Sequence, residues 1–315
     1  MQPSLNSIAS RLRLKHFRLL VAIDDCGSLL KAASAVAMSQ PGATKALREI
    51  EETLGQQLFI RTSRGLEATE LGRCVIRHAR FIQNDIAHLR DEMAGIQLGH
   101  GGRLAVGAIM GAVPMVSEKV SKLLASKPAM SVEMVEDTSV SLLKLLDDGR
   151  LDAALCRISV SHHWDMYDAV CVREERLVVV SSRDHPAAGA KRVELASLAE
   201  CPWIACAANM PMRRYLEREF AEAGIQFPQN LVETTSAFSA VSMMQKNPKL
   251  VALLPSDVAE FWVESRLLTT LNVDLQAKAE PYYLVTCRKR TLTPVTQLFL
   301  DQFEPLEMAL PTAAE

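Results

Sequence analysis

Apolar residues recur at helical spacing twice near the start of the chain, on either side of a short break. Leu29, Ala32, Ala33 and Val36 form one stripe; Ala43, Ala46, Leu47, Ile50 and Leu54 form the next. Residues three and four apart share a helix face, so each stripe predicts a short amphipathic helix. Ser28 and Ser39 stand where N-caps belong. Pro41 falls in the first turn of the second helix, where a missing N–H costs nothing, and Gly55 ends it. Ala32 and Ala33 are small enough for a close helix crossing. Upstream, Leu14, Phe17, Leu20 and Val21 predict a helix that completes a three-helix core, preceded by a polar arm carrying Ser10, Arg11 and Arg13. Downstream, 58–61 and 66–69 read as two short strands around Ser63, Arg64 and Gly65, a basic turn.

From 70 to 98 the pattern changes. Val75, Ala79, Ile82, Ile86, Leu89, Met93 and Ile96 alternate steps of four and three, a heptad seam among polar residues. It predicts a dimerising coiled coil; a helix packed on its own domain is the alternative. Gly99, Gly101 and Gly102 end it as a hinge.

Beyond 103 short apolar runs alternate with amphipathic stretches. Strands are predicted at 104–109, 131–136, 153–156, 176–180, 203–206, 231–234, 251–254 and 281–287. Helices are predicted at 113–125, 139–148, 212–223, 236–245 and 294–308. Such alternation implies parallel βαβ units, here in two α/β lobes with a cleft between them. Ligands in open α/β sheets sit beyond the carboxyl ends of the strands. Three segments there have the backbone or hydroxyl donors of an anion site: Ile109, Met110 and Gly111; Thr138 and Ser139; and Thr235 and Ser236, with Asn209 and Met210 in the same lobe. Each hydroxyl is equally readable as an ordinary N-cap.

Composition narrows the function. The chain has 315 residues, 49% hydrophobic and 23% charged, with a net charge of −2, so it is no basic nucleic-acid coat. Residues 1–71 hold nine Lys and Arg against seven Asp and Glu, a small local positive excess. No run approaches the ~18 apolar residues of a membrane span, and 1–17 lack a signal-peptide core, so a cytoplasmic location is expected. The seven cysteines are scattered without CxxC spacing, and His162 and His163 lack neighbouring ligands, so no metal is expected. No phosphate loop or catalytic triad order is present, so neither a catalytic residue nor a cofactor is expected.

The second helix of the pair is where chemistry concentrates. Ser39, Gln40, Pro41, Thr44, Lys45 and Arg48 lie at its start and on its polar face, with Arg61 and Arg64 in the two-stranded wing. Side chains of this kind reach base edges and phosphates, and a helix-turn-helix places such a helix in the major groove of duplex DNA. Two heads linked by a coiled coil would read a pseudo-palindromic operator.

Ser39-Gln40-Pro41, Thr44, Leu47, Glu51, Leu54-Gly55, Leu58-Phe59, Arg61, Arg64, Thr69 and Gly72 together resemble the signature of LysR-type transcriptional regulators. Gly42 departs from the alanine more usual in that family. Glu136-Asp137-Thr138-Ser139, Gly149-x-Leu151-Asp152, Arg183-x-His185-Pro186, Pro202-Trp203-Ile204 and Leu253-Leu254-Pro255 resemble its weaker downstream motifs, with Asn247-Pro248 in place of the usual glycines.

The resemblance implies a winged helix-turn-helix at 12–69 and a dimerising linker helix at 70–99. A two-lobed effector domain, similar to periplasmic binding proteins, would follow, with lobe I at 103–175 and 281–308 and lobe II at 176–280. It further implies a homodimer or homotetramer, RNA polymerase as a further partner, and a small metabolite effector, a sugar or a carboxylate. Within the family the chain is loosely similar to regulators of sugar uptake and aromatic-acid breakdown. A redox sensor using Cys201 and Cys206 is the alternative; an enzyme or a solute-binding protein is more distant.

Overall fold

The computed structural model describes residues 3–63, 65–98, 102–161, 163–208, 210–276, 279–288 and 290–306. Arg64, Asn209, His162, Gly99, Gly101 and the Ile96 side chain, all singled out above, lie outside the described residues. The helix expected over 294–308 ends at Leu300; 301–306 are turn and irregular chain, and 307–308 lie outside the described residues. The chain forms two compact units, Met1–Arg103 with Lys144–Leu151, and Leu104–Leu143 with Asp152–Glu315.

The first unit carries α1 (Leu5–Arg11), α2 (Leu14–Cys26), α3 (Leu29–Ala35), α4 (Gln40–Leu54), β1 (Phe59–Thr62), β2 (Gly65–Ala68) and α5 (Glu70–Leu98). The polar arm is therefore a helix, α1. It buries no residue, so it left no apolar stripe to read; the Ser4 hydroxyl caps it by accepting from Ser7 N at 3.2 Å. Leu19, Leu20, Ile23, Ala32, Ala43, Ile50 and Leu58 have no exposed surface and form the core where α2, α3 and α4 meet. Each large aliphatic buried this way contributes roughly 1.5–3 kcal/mol.

The wing is an antiparallel pair with Phe59 opposite Ala68. Leu66 N donates to Gly27 O at 2.9 Å, and the Glu51 carboxylate accepts from Leu58 N at 2.8 Å, which fixes the wing to the helices. Thr69 Oγ1 accepts from Gly72 N at 3.0 Å and caps the start of α5.

The seam on α5 needs correction. Ala79 has no exposed surface within the single chain, and half-buried Val75 packs on the head core, as does buried Ile76. The first turns of α5 complete the head, where α2 covers them, so two successive environments had been read as one heptad pattern. The positions left open are half-buried Ile82, and Ile86, Leu89 and Met93 at 43%, 57% and 54% exposure. Arg80 ties α5 to the end of α2 through Asp24 at 2.8 Å and Asp25 at 2.6 Å.

The second unit is built on two five-stranded sheets. The elements are β3 (Arg103–Ala108), α6 (Val113–Ser126), β4 (Ser131–Glu136), α7 (Ser139–Asp147), β5 (Ala153–Cys156), β6 (Tyr167–Arg173), β7 (Leu177–Ser182), β8 (Trp203–Ala205) and α8 (Pro211–Glu222). They continue with β9 (Leu231–Glu233), α9 (Ala237–Met244), β10 (Val251–Pro255), α10 (Ser256–Glu264), β11 (Leu268–Leu271), β12 (Tyr282–Cys287) and α11 (Pro294–Leu300). One sheet has the order β4-β3-β5-β12-β6, the other β11-β7-β10-β8-β9. β12 thus returns to the first sheet after the whole second lobe.

The sheets are mixed rather than parallel throughout. β3 pairs parallel to β5, and β8 pairs parallel to β9 and β10, but β12 is antiparallel to β5 and β6, and β7 to β10 and β11. The antiparallel strands lie where the chain crosses between lobes without an intervening helix. β6, α10 and β11 have no counterpart in the sequence reading. β6 alternates exposed and buried residues irregularly, and β11 is only four residues long.

Candidate functional site

The polar face of α4 is open. Ser39, Gln40, Pro41, Thr44, Lys45 and Arg48 are all exposed, as is Arg61 on β1. Ser39 Oγ accepts from Gly42 N at 3.2 Å, so this serine works as the cap. A Cβ on residue 42 would stand 3.0 Å from that hydroxyl, a tight approach that glycine relieves. Thr44 Oγ1 donates to Gln40 O at 3.0 Å, and the Gln40 side chain is exposed at the helix start. Arg48 pairs with Glu52 at 2.8 Å and Lys45 with Glu49 at 3.9 Å. Exposed pairs of this spacing are worth only about 0.3–0.5 kcal/mol, so a phosphate displaces the carboxylates readily. The face can therefore present amide donors at its start and exchangeable cations along its length.

In the second unit a small pocket opens at the carboxyl ends of β8, β9 and β10. It is lined by Met110, Cys206, Thr234, Thr235 and Ser236, with Ile204, Ala205, Ala237, Ala240, Ala252, Leu253 and Leu254. Three of the nine effector positions expected from sequence, Met110, Thr235 and Ser236, meet here although residue 110 is far from the others in the chain. Ser236 caps α9, its Oγ accepting from Ser239 N at 3.2 Å, and Thr234 Oγ1 accepts from Ser236 N at 3.1 Å. Both oxygens are thus used as acceptors, and their own hydrogens remain to be donated. Among the described residues no Lys or Arg lines the pocket.

The other expected positions are used differently. Thr138 caps α7 through Ser141 N at 3.3 Å, whereas Ser139 is buried and its Oγ accepts from Arg157 N at 3.1 Å. Ile109 is buried, its N–H donating to Leu155 O at 3.0 Å. Met210 is the N-cap of α8 and lies off the pocket lining. Gly111 lines a separate depression with Arg173, Glu175, Pro255, Asp257 and Tyr282.

The family model of the LysR substrate binding domain matches residues 97–306, and that of the bacterial regulatory helix-turn-helix protein, lysR family, matches residues 14–73. The chain belongs to the LysR family of transcriptional regulators. This LysR-family regulator is 28% identical over 289 residues to the HTH-type transcriptional regulator GbpR of Azospirillum brasilense, covering 91% of this chain and 84% of that one. The crystal structure of CbnR, a LysR family transcriptional regulator, superposes with a TM-score of 0.58 at 18% identity, covering 92% of this chain and 97% of CbnR. A full-length OxyR variant from Pseudomonas aeruginosa superposes with a TM-score of 0.59 at 18% identity, covering 92% and 94%. At that identity the superpositions describe the fold.

The protein is accordingly a DNA-binding regulator with an effector domain, and not an enzyme. Among the described residues no cluster of His, Cys, Asp and Glu is placed to hold a metal, and no helix is long and apolar enough to cross a membrane.

The thiols of Cys201 and Cys206 were the alternative chemistry. Burial pushes both up, with Glu200 adding to the effect at Cys201 and Arg213 opposing it at Cys206. A reactive sensor thiol needs the opposite shift. Cys206 nevertheless lines the pocket. It was missed as a lining residue, with Thr234 and the 252–254 segment, although each sits at the end of a predicted strand, the one signal that marked them.

Proposed function

We propose that this LysR-family protein binds a pseudo-palindromic operator as a homodimer, or as a tetramer of two such dimers, in the cytoplasm. A small carboxylate held at the carboxyl ends of β8, β9 and β10 controls that binding. Gln40 and Thr44 read base edges; Lys45, Arg48 and Arg61, with Arg64, contact phosphates. The open part of the α5 seam, Ile82 to Met93, pairs two chains.

The observation that carries the effector reading is the state of the pocket hydroxyls. Thr234 and Ser236 each accept one bond from the backbone, which orients their hydroxyls and leaves each O–H hydrogen to be donated. The start of α9 adds the positive end of a helix dipole. That combination suits an oxygen that accepts, as a carboxylate does, over a sugar hydroxyl that both gives and takes. The apolar body of the ligand would rest on Met110, Ile204 and Leu254.

Ser236→Asp tests this. Aspartate is as good an N-cap as serine, so the fold is kept, but it brings a negative charge and no donor. Thermal melts of the full chain should rise with members of a small-carboxylate panel, not with neutral sugars, and the rise should vanish in Ser236→Asp. A rise with sugars that persists in the variant overturns the carboxylate reading.

A further inference from the structure

The wall of the pocket formed by Met110 continues directly into a buried ion pair where the chain crosses from one lobe to the other. Glu175 lies on the crossover 174–176, between β6 and β7, and its carboxylate is bonded to the Arg157 guanidinium at the end of β5. Both side chains are buried, Arg157 at 9% and Glu175 at 4% exposure. Arg157 is incompletely matched: its Nε is buried without a protein partner, as is the Tyr282 hydroxyl at the start of β12. Gly111 sits over the pair. A Cβ there would run into Glu175 Oε1 and would also come within 3.3 Å of Pro255 Cγ. Pro255 in turn ends β10, whose Leu253 and Leu254 line the pocket. The second lobe holds the same crossover through Ser256 N, donating to Arg176 O at 2.8 Å, and through Asp257, which binds Arg173 at 2.9 Å.

We propose that Met110-Gly111 is the coupling element of this regulator: a ligand pressing on Met110 moves Gly111 against Glu175 and shifts the Glu175–Arg157 pair, resetting the angle between the lobes. The proposal rests on the reading of the pocket as the effector site, but its test needs no ligand. Buried charges keep their partners, so displacing Glu175 requires Arg157 to find another arrangement, and its unpartnered Nε shows that the present one is not saturated. Packed elements with two discrete arrangements are what transmits coupling between sites.

The measurement is amide exchange at 174–178 in the full-length protein, for wild type, Met110→Ala, Gly111→Ala and each combined with Glu175→Gln. Met110→Ala and Gly111→Ala should change exchange at the crossover by about fivefold or more, the lower edge of ordinary coupling. The Met110→Ala effect should vanish once Glu175 is Gln, whereas the Cβ of Gly111→Ala still meets the isosteric amide. The double variant Arg157→Met with Glu175→Leu guards against loss of folding, because a buried pair replaced by apolar residues of similar size is tolerated; it should fold and be insensitive to Met110→Ala. Unchanged exchange in Met110→Ala, or a Met110→Ala effect that survives in the Glu175 variants, overturns the coupling. Failure of the carboxylate panel with coupling intact would instead count against the pocket reading alone.

Discussion

The two functional regions of this chain are built in opposite ways. The face proposed to read DNA is mostly one helix, its exposed side chains between residues 39 and 48 joined by Arg61 of the wing. The pocket proposed for the effector draws on residues 110, 204–206, 234–237, 240 and 252–254, brought together by two sheets. The first region is local and wet, and its cations rest on carboxylates that a phosphate can replace. The second is long-range and mostly apolar in its lining, and its hydroxyls are pre-oriented by backbone N–H groups. A regulator needs both: a face that exchanges partners easily, and a pocket whose small changes are felt across a packed core.

The largest expected effect separates the two regions. Ile50 has no exposed surface in the head core, and Ile50→Ala should cost about 2–5 kcal/mol there. Calorimetry should show the head transition lowered or lost and the effector-domain transition kept, with DNA binding abolished. A single transition lowered as a whole would show that the regions do not act independently.

Next come the phosphate contacts. Arg48→Ala and Arg61→Ala should each weaken binding to all DNA sequences alike and reduce the salt slope by about one. A sequence-selective loss would move these residues from the backbone to the bases.

The difference in construction also decides what could be read from the chain. Ala43, Ala46 and Ile50 repeat at helical spacing and Ser39 caps their helix, so α4, its cap and its exposed polar face were legible as they stood. Met110 and Ser236 could be marked as strand-end residues. Nothing in their spacing says that they meet, and Thr138, Ser139 and Ile109, marked by the same rule, face elsewhere. The seam on α5 was half legible. A heptad pattern records apolar positions without saying what covers them, and Ala79 is covered by its own chain.

A smaller effect sharpens the view of the pocket side. Burial holds the Glu175 carboxyl above the ordinary range, with Arg157 opposing. A carboxyl raised in the folded state contributes stability that is present below its unfolded pKa and is lost as pH rises through the folded value. Denaturant melts of the effector-domain transition should therefore show a downward slope with pH just above the ordinary glutamate range, absent in Glu175→Gln. A slope of the opposite sign would mean that Arg157 outweighs burial.

The smallest effect is chemical. Cys74 on α5 is exposed, whereas burial pushes the Cys156 thiol up to about 12. Iodoacetamide at neutral pH should label Cys74 in the folded protein and Cys156 only after unfolding. Early labelling of Cys156 would contradict the packing of β5.

The most direct test is a hydroxyl-radical footprint on DNA selected by the purified full-length protein, with Gln40→Ala alongside. Two protected patches should appear, separated by about one helical turn or a multiple of it, and Gln40→Ala should weaken protection in both halves by about 1–3 kcal/mol at the same base. A single patch, or protection that Gln40→Ala leaves unchanged, would contradict a paired α4 reading the groove.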